Sequence, residues 1–199
     1  MNEGALEEAL RLNEIPYTIS AGEGAFYGPK IDLFMDDALG RKWQIGTIQL
    51  DSQMPSRFGL KYVGPDNQEH DLYVVHRALY GSFERFIGIL IEHYGGAFPF
   101  WLAPVQIRFV PVSDEHTERA EAVAARIREA GYRVEVDSSD ETVGKRIRNA
   151  QVEKIPFTVV FGERESDESL AVRERGEKQS NPSLAEFLET LESLRGEAG

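Results

Sequence analysis

The chain has 199 residues, with 22 Lys plus Arg against 34 Asp plus Glu and a formal net charge of −12. That length suits one large domain or two small ones, and the acidic balance leaves any nucleic-acid binding to local basic clusters, because backbone phosphates reward concentrated positive charge. The sequence holds no cysteine, which excludes disulfides and thiolate metal sites within it, and no apolar run approaches the roughly 20 residues of a membrane helix.

Met1 to Leu12 is acidic and amphipathic, unlike a secretory leader, so a cytoplasmic location with no membrane contact is expected. Glu7 to Leu12 reads as the end of a helix, and Ile15 to Ser20 is predicted to be a strand. Ala21 to Gly28 carries three glycines, a composition suited to close backbone approach to a ligand. Ile31 to Met35, a turn over Asp36 to Gly40, and Arg41 to Leu50 predict a long antiparallel hairpin. Gln53 to Tyr62 is polar and irregular around Pro55, Gly64-Pro65-Asp66-Asn67 is a turn, and Leu72 to Val75 is a last short strand.

The stretch from His76 to Tyr94 is the centre of the first half. After Gly81-Ser82, apolar residues at Phe83, Phe86, Ile87, Leu90, Ile91 and Tyr94 have the spacing of a buried helical face, with Ser82 as its N-cap. Arg85 falls in the first turn, where a cation opposes the helix dipole. It gains most when an anion such as a phosphate sits between it and the open amide groups. Ala97 to Pro104 leaves through an aromatic, proline-bounded segment, and the domain boundary is placed at about Pro104.

The second half has a different rhythm. Val105 to Val112 is a strand, Glu115 to Ala130 a helix stopped by Gly131, and Tyr132 to Val136 a strand. Thr142 to Lys154 is a helix with Val143, Ile147 and Ala150 inward. Phe157 to Phe161 is a central strand, Leu170 to Arg175 pairs after a loop, and Asn181-Pro182 caps a last helix. This βαβαββα order implies a mixed sheet with helices on both faces. Up to Ala103 there are 8 basic against 14 acidic residues, and beyond it 14 against 20, so each part is −6. Within that background Lys145, Arg148 and Asn149 share a helical face, Arg173 and Arg175 share a side of their strand, and Arg164 and Glu165 lie between. Together they form a candidate surface for reading unpaired bases.

Three runs carry a resemblance. Gly22 to Asp32 (GEGAFYGPKID), Gly46 to Asp51 (GTIQLD) and His76 to Gln106 (HRALYGSFERFIGILIEHYGGAFPFWLAPVQ) closely resemble the class II threonyl-tRNA synthetases. The last run corresponds to the motif 3 helix and its exit. The resemblance implies an α+β fold: residues 1–104 as the C-terminal part of the antiparallel catalytic sheet, then residues 105–199 as the α/β anticodon-binding domain. It implies threonine-tRNA ligase chemistry, in which ATP and magnesium activate threonine as an adenylate that is passed to threonine tRNA.

By position, the resemblance gives Arg85 as the catalytic, ATP-binding arginine and Gln44 as a second ATP contact. Tyr27, Lys30, Gln49 and Ser82 line the threonine pocket. His76 is one ligand of a zinc ion whose other two ligands lie outside this chain, and Arg148, Arg164, Glu165 and Arg173 contact the anticodon. Ile45 stands where the family often has Cys, and Ser139 and Asp140 where many members have Arg and Asn. Motif 1, which builds the homodimer of the full enzyme, and motif 2, whose arginine grips the α-phosphate, have no counterpart here, so the piece alone is expected to be inactive. The alternative is a noncatalytic tRNA-binding or accessory module derived from a threonyl, or else a prolyl, histidyl or glycyl, synthetase.

Overall fold

A computed structural model of the chain describes residues 2–176 and 178–196. It divides into two compact units, Met1–His93 and Tyr94–Gly199.

The first unit opens with helix α1 (Asn2–Leu12). Ile15 to Ser20 then runs without regular structure, and the strand expected there is absent. Its alternating residues Ile15, Tyr17 and Ile19 are all exposed, and alternation makes a strand only where a neighbouring ladder accepts it. Strand β1 (Lys30–Asp36) pairs antiparallel with β2 (Lys42–Asp51). The stretch read as irregular holds a short helix α2 (Gln53–Arg57) and a small hairpin, β3 (Lys61–Val63) with β4 (Glu69–Asp71), folded about the predicted Gly64–Asn67 turn. Strand β5 (Val74–Ala78) completes a sheet of order β1-β2-β5. It starts later and runs further than Leu72 to Val75, so His76 lies inside the strand, opposite Gln49.

Helix α3 (Phe83–Tyr94) follows as predicted. Ser82 Oγ accepts the Arg85 amide at 3.2 Å, and Gly81 has φ +68°, a conformation open to glycine at no steric cost. The helix buries a different face from the one expected. Ile89 is 5% exposed, whereas Phe83, Ile87 and Ile91 form an uncovered stripe at 73%, 49% and 48%. Among the described residues, Ile89 and Pro55 are the buried apolar side chains on the helices and strands of this unit.

The register of β1 and β2 carries the feature that shapes the site. Leu33 opposes Gly46 but Phe34 opposes Gln44, so Ile45 is an extra residue on β2. Such a bulge shifts the alternation of side chains by one. Gln44 and Gln49, five apart, would face opposite ways in an unbroken strand; the bulge puts both on one face.

The second unit has a core of its own. Strands β6 (Ile107–Pro111), β7 (Val134–Val136), β8 (Phe157–Phe161), β9 (Ala171–Glu174) and β10 (Gln179–Ser180) form a mixed sheet of order β10-β9-β8-β6-β7. β6 is parallel to β7 and β8, and β9 antiparallel to β8. Helices α4 (Thr117–Glu129) and α6 (Leu184–Gly196) contribute Ala124, Ile127, Phe187 and Leu191 to a cluster with Ile107, Phe109, Phe157 and Val159. The alternate residues Arg108, Val110 and Thr158 turn to the other face, where α5 (Val143–Val152) lies. Two local expectations change. On α5 the buried residues are Arg146 and Ala150, because the Arg146 guanidinium reaches the Asp137 carbonyl at 2.7 Å. On α6 the cap is Ser183, whose hydroxyl and amide exchange hydrogen bonds with Glu186, a capping box.

Residues 94–104 belong with this unit, so the division falls earlier than Pro104. The proline is the louder sequence signal, but Phe100 is buried against Tyr132 and Phe157. Arg133 also ties down the carbonyls of Ala103 and Trp101 at 2.9 and 2.7 Å.

Candidate active site

Lys30, Gln49 and His76 form one row across the first sheet, Asp32, Thr47 and Ala78 the next, and Phe34 with Gln44 a third. All these side chains leave the same face, because directly opposed residues share one. Gln44 Nε2 donates to Asp32 Oδ1 at 2.8 Å and Lys30 Nζ to Asp32 Oδ2 at 2.5 Å. Tyr27, on the glycine-rich loop, donates its hydroxyl to Gln49 Oε1 and packs beside the His76 ring at 5.7 Å between centroids. Five residues chosen from sequence, Tyr27, Lys30, Gln44, Gln49 and His76, therefore converge on one face.

Gly28 is a glycine for a different reason from the one expected. A Cβ there would lie 1.9 Å from the Leu50 carbonyl oxygen, so the close approach is to the end of β2, and it is what sets the loop bearing Tyr27 onto the sheet.

Arg85 reaches the third row. Its Nη1 donates to the Gln44 carbonyl at 3.3 Å and its guanidinium lies over the Trp43 ring at 5.7 Å. Glu92, on the same helix, is taken by Arg41 at 2.7 Å. A cation with a carbonyl and a π face as its partners retains its charge for an anion, and the first amides of α3 lie beside it.

Four residues that sequence reasoning passed over belong to this face or its frame: Asp32, Trp43, Thr47 and Asp51. The hairpin register would have found Asp32 and Thr47, as they sit opposite each other. The Thr47 hydroxyl is buried and has no hydrogen-bond partner among the described residues. Asp51 is 2% exposed, takes the amides of Gln53 and Met54 at 3.0 and 2.9 Å at the start of α2, and meets His76 Nε2 at 3.1 Å. Burial pushes its carboxyl up, but the Met54 amide, the His76 ring and the Gln53 amide outweigh this and hold it below the ordinary carboxylate range.

The donor set does not by itself fit a zinc ion. No cluster of three or more His, Cys, Asp or Glu arranged to hold a metal occurs among the described residues, and zinc sites take at least three protein ligands. His76 offers one ring nitrogen, the other being on Asp51.

The RNA candidates divide. Arg173 and Arg175 line a groove of about 590 Å³ with Ile147, Gln151, Thr158 and Gln179. Arg148 and Arg164 are exposed outside that lining. Glu165 secures its own loop, accepting the Gly162 amide at 2.8 Å. Lys145 is paired with Glu141.

Comparison with known proteins agrees with the two units. Residues 5–94 match the model described as tRNA synthetase class II core domain (G, H, P, S and T), and residues 106–194 the model described as anticodon binding domain. The threonine-tRNA ligase of Thermotoga neapolitana is 52% identical over 189 residues, covering 94% of this chain and 30% of that protein. A solved structure described as the RNA binding domain of threonyl-tRNA synthetase from Cryptosporidium parvum superposes with TM-score 0.84 at 36% identity, over 97% of this chain and 50% of that one. A putative threonyl-tRNA synthetase from Aeropyrum pernix gives TM-score 0.65 at 33% identity, over 99% of this chain and 50% of that one. The chain thus spans about 30% of the length of the ligase it matches, in the order core then anticodon domain, and it belongs to the class II aminoacyl-tRNA synthetase family, with threonine-tRNA ligases as its relatives.

Proposed function

We propose that this chain is the C-terminal portion of a threonine-tRNA ligase: the first unit supplies contacts to ATP and threonine, and the second contacts the tRNA anticodon. The observation that carries the reading is Arg85, a cation at the start of a helix with no carboxylate partner among the described residues, adjoining a polar face that already groups Gln44, Gln49, Lys30, Tyr27 and His76. In that chemistry the threonine carboxylate attacks the α-phosphorus of ATP, pyrophosphate leaves, and a terminal ribose hydroxyl of the tRNA then displaces AMP from the acyl group. Arg85 neutralises developing phosphate charge, and charge neutralisation with positioning is the main work of such catalysis. Gln44 meets the nucleotide, while Tyr27, Lys30, Gln49 and Ser82 surround the amino acid. His76 would be one ligand of a zinc ion, its ring fixed by Asp51; ligands from outside these residues would have to complete the site, and a bound zinc would supply Lewis acidity there.

The uncovered stripe of Phe83, Ile87 and Ile91 and the sparse core of the first unit support a catalytic domain that is completed by further protein. On that reading the isolated chain forms no adenylate. A threonine-dependent ATP/pyrophosphate exchange assay tests it: no turnover is expected from the chain alone, and in the complete ligase an Arg85→Ala variant should lose at least about 10-fold in exchange rate, the worth of a charge-assisted hydrogen bond. Exchange at enzyme-like rates by the isolated chain refutes the incompleteness, and an unaffected Arg85→Ala ligase refutes the role of Arg85.

A second reading, an RNA-binding module without catalysis, is favoured by the RNA binding domain that superposes on 97% of this chain. Filter binding of threonine tRNA against an unrelated tRNA at fixed salt tests it. Equal affinity for the two argues against anticodon recognition through Arg173 and its neighbours.

A further inference from the structure

We infer that Trp43, oriented by Asp37, is the platform that positions Arg85, and that Arg41 keeps the competing carboxylate Glu92 away from it; the inference rests on the reading of Arg85 as the ATP-binding cation. The arrangement begins at the β1–β2 turn. The Asp37 side chain has 0% exposure. Its Oδ1 accepts the amides of Leu39 and Arg41 at 2.9 and 2.8 Å, and its Oδ2 accepts Trp43 Nε1 at 2.7 Å and Arg41 Nε at 2.5 Å. Burial pushes this carboxyl up, but the donors, Trp43 foremost, outweigh it and hold it ionised far below the ordinary range. The turn itself is already closed by backbone bonds from Asp37 to Arg41 and from Gly40 to Asp37, at 3.0 and 2.9 Å. The bond to the indole adds nothing to that closure; what it fixes is the tilt of the ring.

Two guanidinium groups then lie over the one indole, Arg41 and Arg85, each 5.7 Å from its centroid. Their charges are treated unequally. Arg41 is ion-paired twice, to Asp37 and to Glu92, so its charge is spent within the fold. Among the described residues Arg85 receives no carboxylate, although Glu92 lies two turns further along the same helix. A purely structural arginine would gain more from Glu92 than from a carbonyl at 3.3 Å. By occupying Glu92, Arg41 leaves Arg85 held by geometry, through a ring face and a carbonyl, without being neutralised. Trp43, Asp37 and Arg41 are positioning residues here, acting on ATP only through Arg85.

The test uses the whole 199-residue chain, which contains two tryptophans, labelled with ¹⁵N. Trp43→Phe and Arg85→Lys assign the Trp43 indole and Arg85 Nε resonances. The expected result is that Trp43→Leu returns the Arg85 signal to that of a solvated arginine. Trp43→Phe, which keeps an aromatic face, holds it part-way. Asp37→Asn moves both the indole and the Arg85 signals, whereas Glu84→Gln moves neither. On titration with MgATP, Trp43→Leu is expected to weaken binding about 2- to 5-fold, the worth of an exposed cation–π contact, against about 10-fold or more for Arg85→Ala. An Arg85 signal unmoved in Trp43→Leu overturns the platform, as does wild-type MgATP affinity in Trp43→Leu when Arg85→Ala is impaired. Should Trp43→Leu disturb the amide signals of the Asp37 turn, the Arg85 shift in folded Trp43→Phe decides instead, and no change there overturns the platform. If the Arg85 signal moves as expected while MgATP perturbs neither wild type nor variants, the positioning stands and the ATP reading of Arg85 fails for this chain.

Discussion

Replacing both Glu135 and Glu153 by Gln leaves a buried guanidinium without its counter-charges, and this double variant should be less stable than one lacking the arginine altogether. Arg108, on β6, keeps 10% side-chain exposure and donates through Nη2 to Glu135 at 2.8 Å and Glu153 at 2.7 Å, whereas both carboxylates remain 52% exposed. Burial pulls the Arg108 pKa down and the two glutamates more than restore it, leaving it above its ordinary value. Breaking a buried ion pair from one side costs about 3–5 kcal/mol. Here the carboxylates are half in water and glutamine oxygens still accept a hydrogen bond, which reduces the expected loss to about 2–3 kcal/mol. In Arg108→Met the glutamates turn into solvent they already touch and the thioether fills the stem's volume, at about 1 kcal/mol or less. Urea unfolding followed by Trp101 fluorescence, in a Trp43→Phe background, reads the second unit. With a slope of roughly 2 kcal/mol per molar urea the double variant should lose about 1 M or more in midpoint. A larger loss in Arg108→Met than in the double variant would refute the reasoning.

At Gly28, alanine brings a Cβ to 1.9 Å from the Leu50 carbonyl, while at Gly24 the nearest atom is 3.6 Å away. Gly28→Ala should therefore cost about 1–3 kcal/mol and release the Tyr27–Gln49 bond, visible as faster amide exchange at Leu50, whereas Gly24→Ala should leave that exchange unchanged. Thr47→Val removes a buried hydroxyl that has no partner, so the free chain should keep or slightly raise its Tm, and a fall of several degrees would mean the hydroxyl is satisfied in solution. Acid should loosen the first unit. The carboxyls of Asp51, Asp66 and Asp71 titrate below their usual range, the last two through His70 and Lys61, so the folded state binds fewer protons than the unfolded one. That stabilisation is complete above about pH 4 and is lost as pH falls through the lowered values. Trp43 fluorescence from about pH 6 down to 2 should report the loss, and a flat trace would contradict it. For RNA, Arg173→Ala should lower affinity for threonine tRNA and reduce the salt slope by about 1, and Lys145→Ala, already paired with Glu141, should not.

The second unit was legible because its strands are short apolar runs and two of its helix limits, Gly131 and Thr142, are local signals that the fold honours, whereas the cap of α6 falls at Ser183 and not at Asn181-Pro182. Helix α3 was legible for the same reason, and Ser82 caps it as its position implied. The buried side of α3 was not, since Phe83, Ile87 and Ile91 are apolar whether or not anything covers them. The strand expected at Ile15 to Ser20 failed where pairing, a long-range property, was needed. Five site candidates met on one face, but the pair Gln44 and Gln49 did so only through Ile45, whose offset leaves no mark on composition. The polar frame around Asp37 was hidden because each of its members reads singly as an ordinary turn or surface residue.

That offset at Ile45 has a consequence for how the protein tolerates change. Inserting one residue between Leu33 and Phe34, opposite Ile45, would restore an unbroken ladder, and by every measure of regular pairing the hairpin would improve. That insertion would rotate Gln44 to the back of the sheet and withdraw its amide from Asp32 while Gln49 stayed in place. Unfolding experiments would score such a variant as a gain and ligand binding would score it as a loss. Within these few residues, straightening the hairpin is more damaging to recognition than most side-chain replacements.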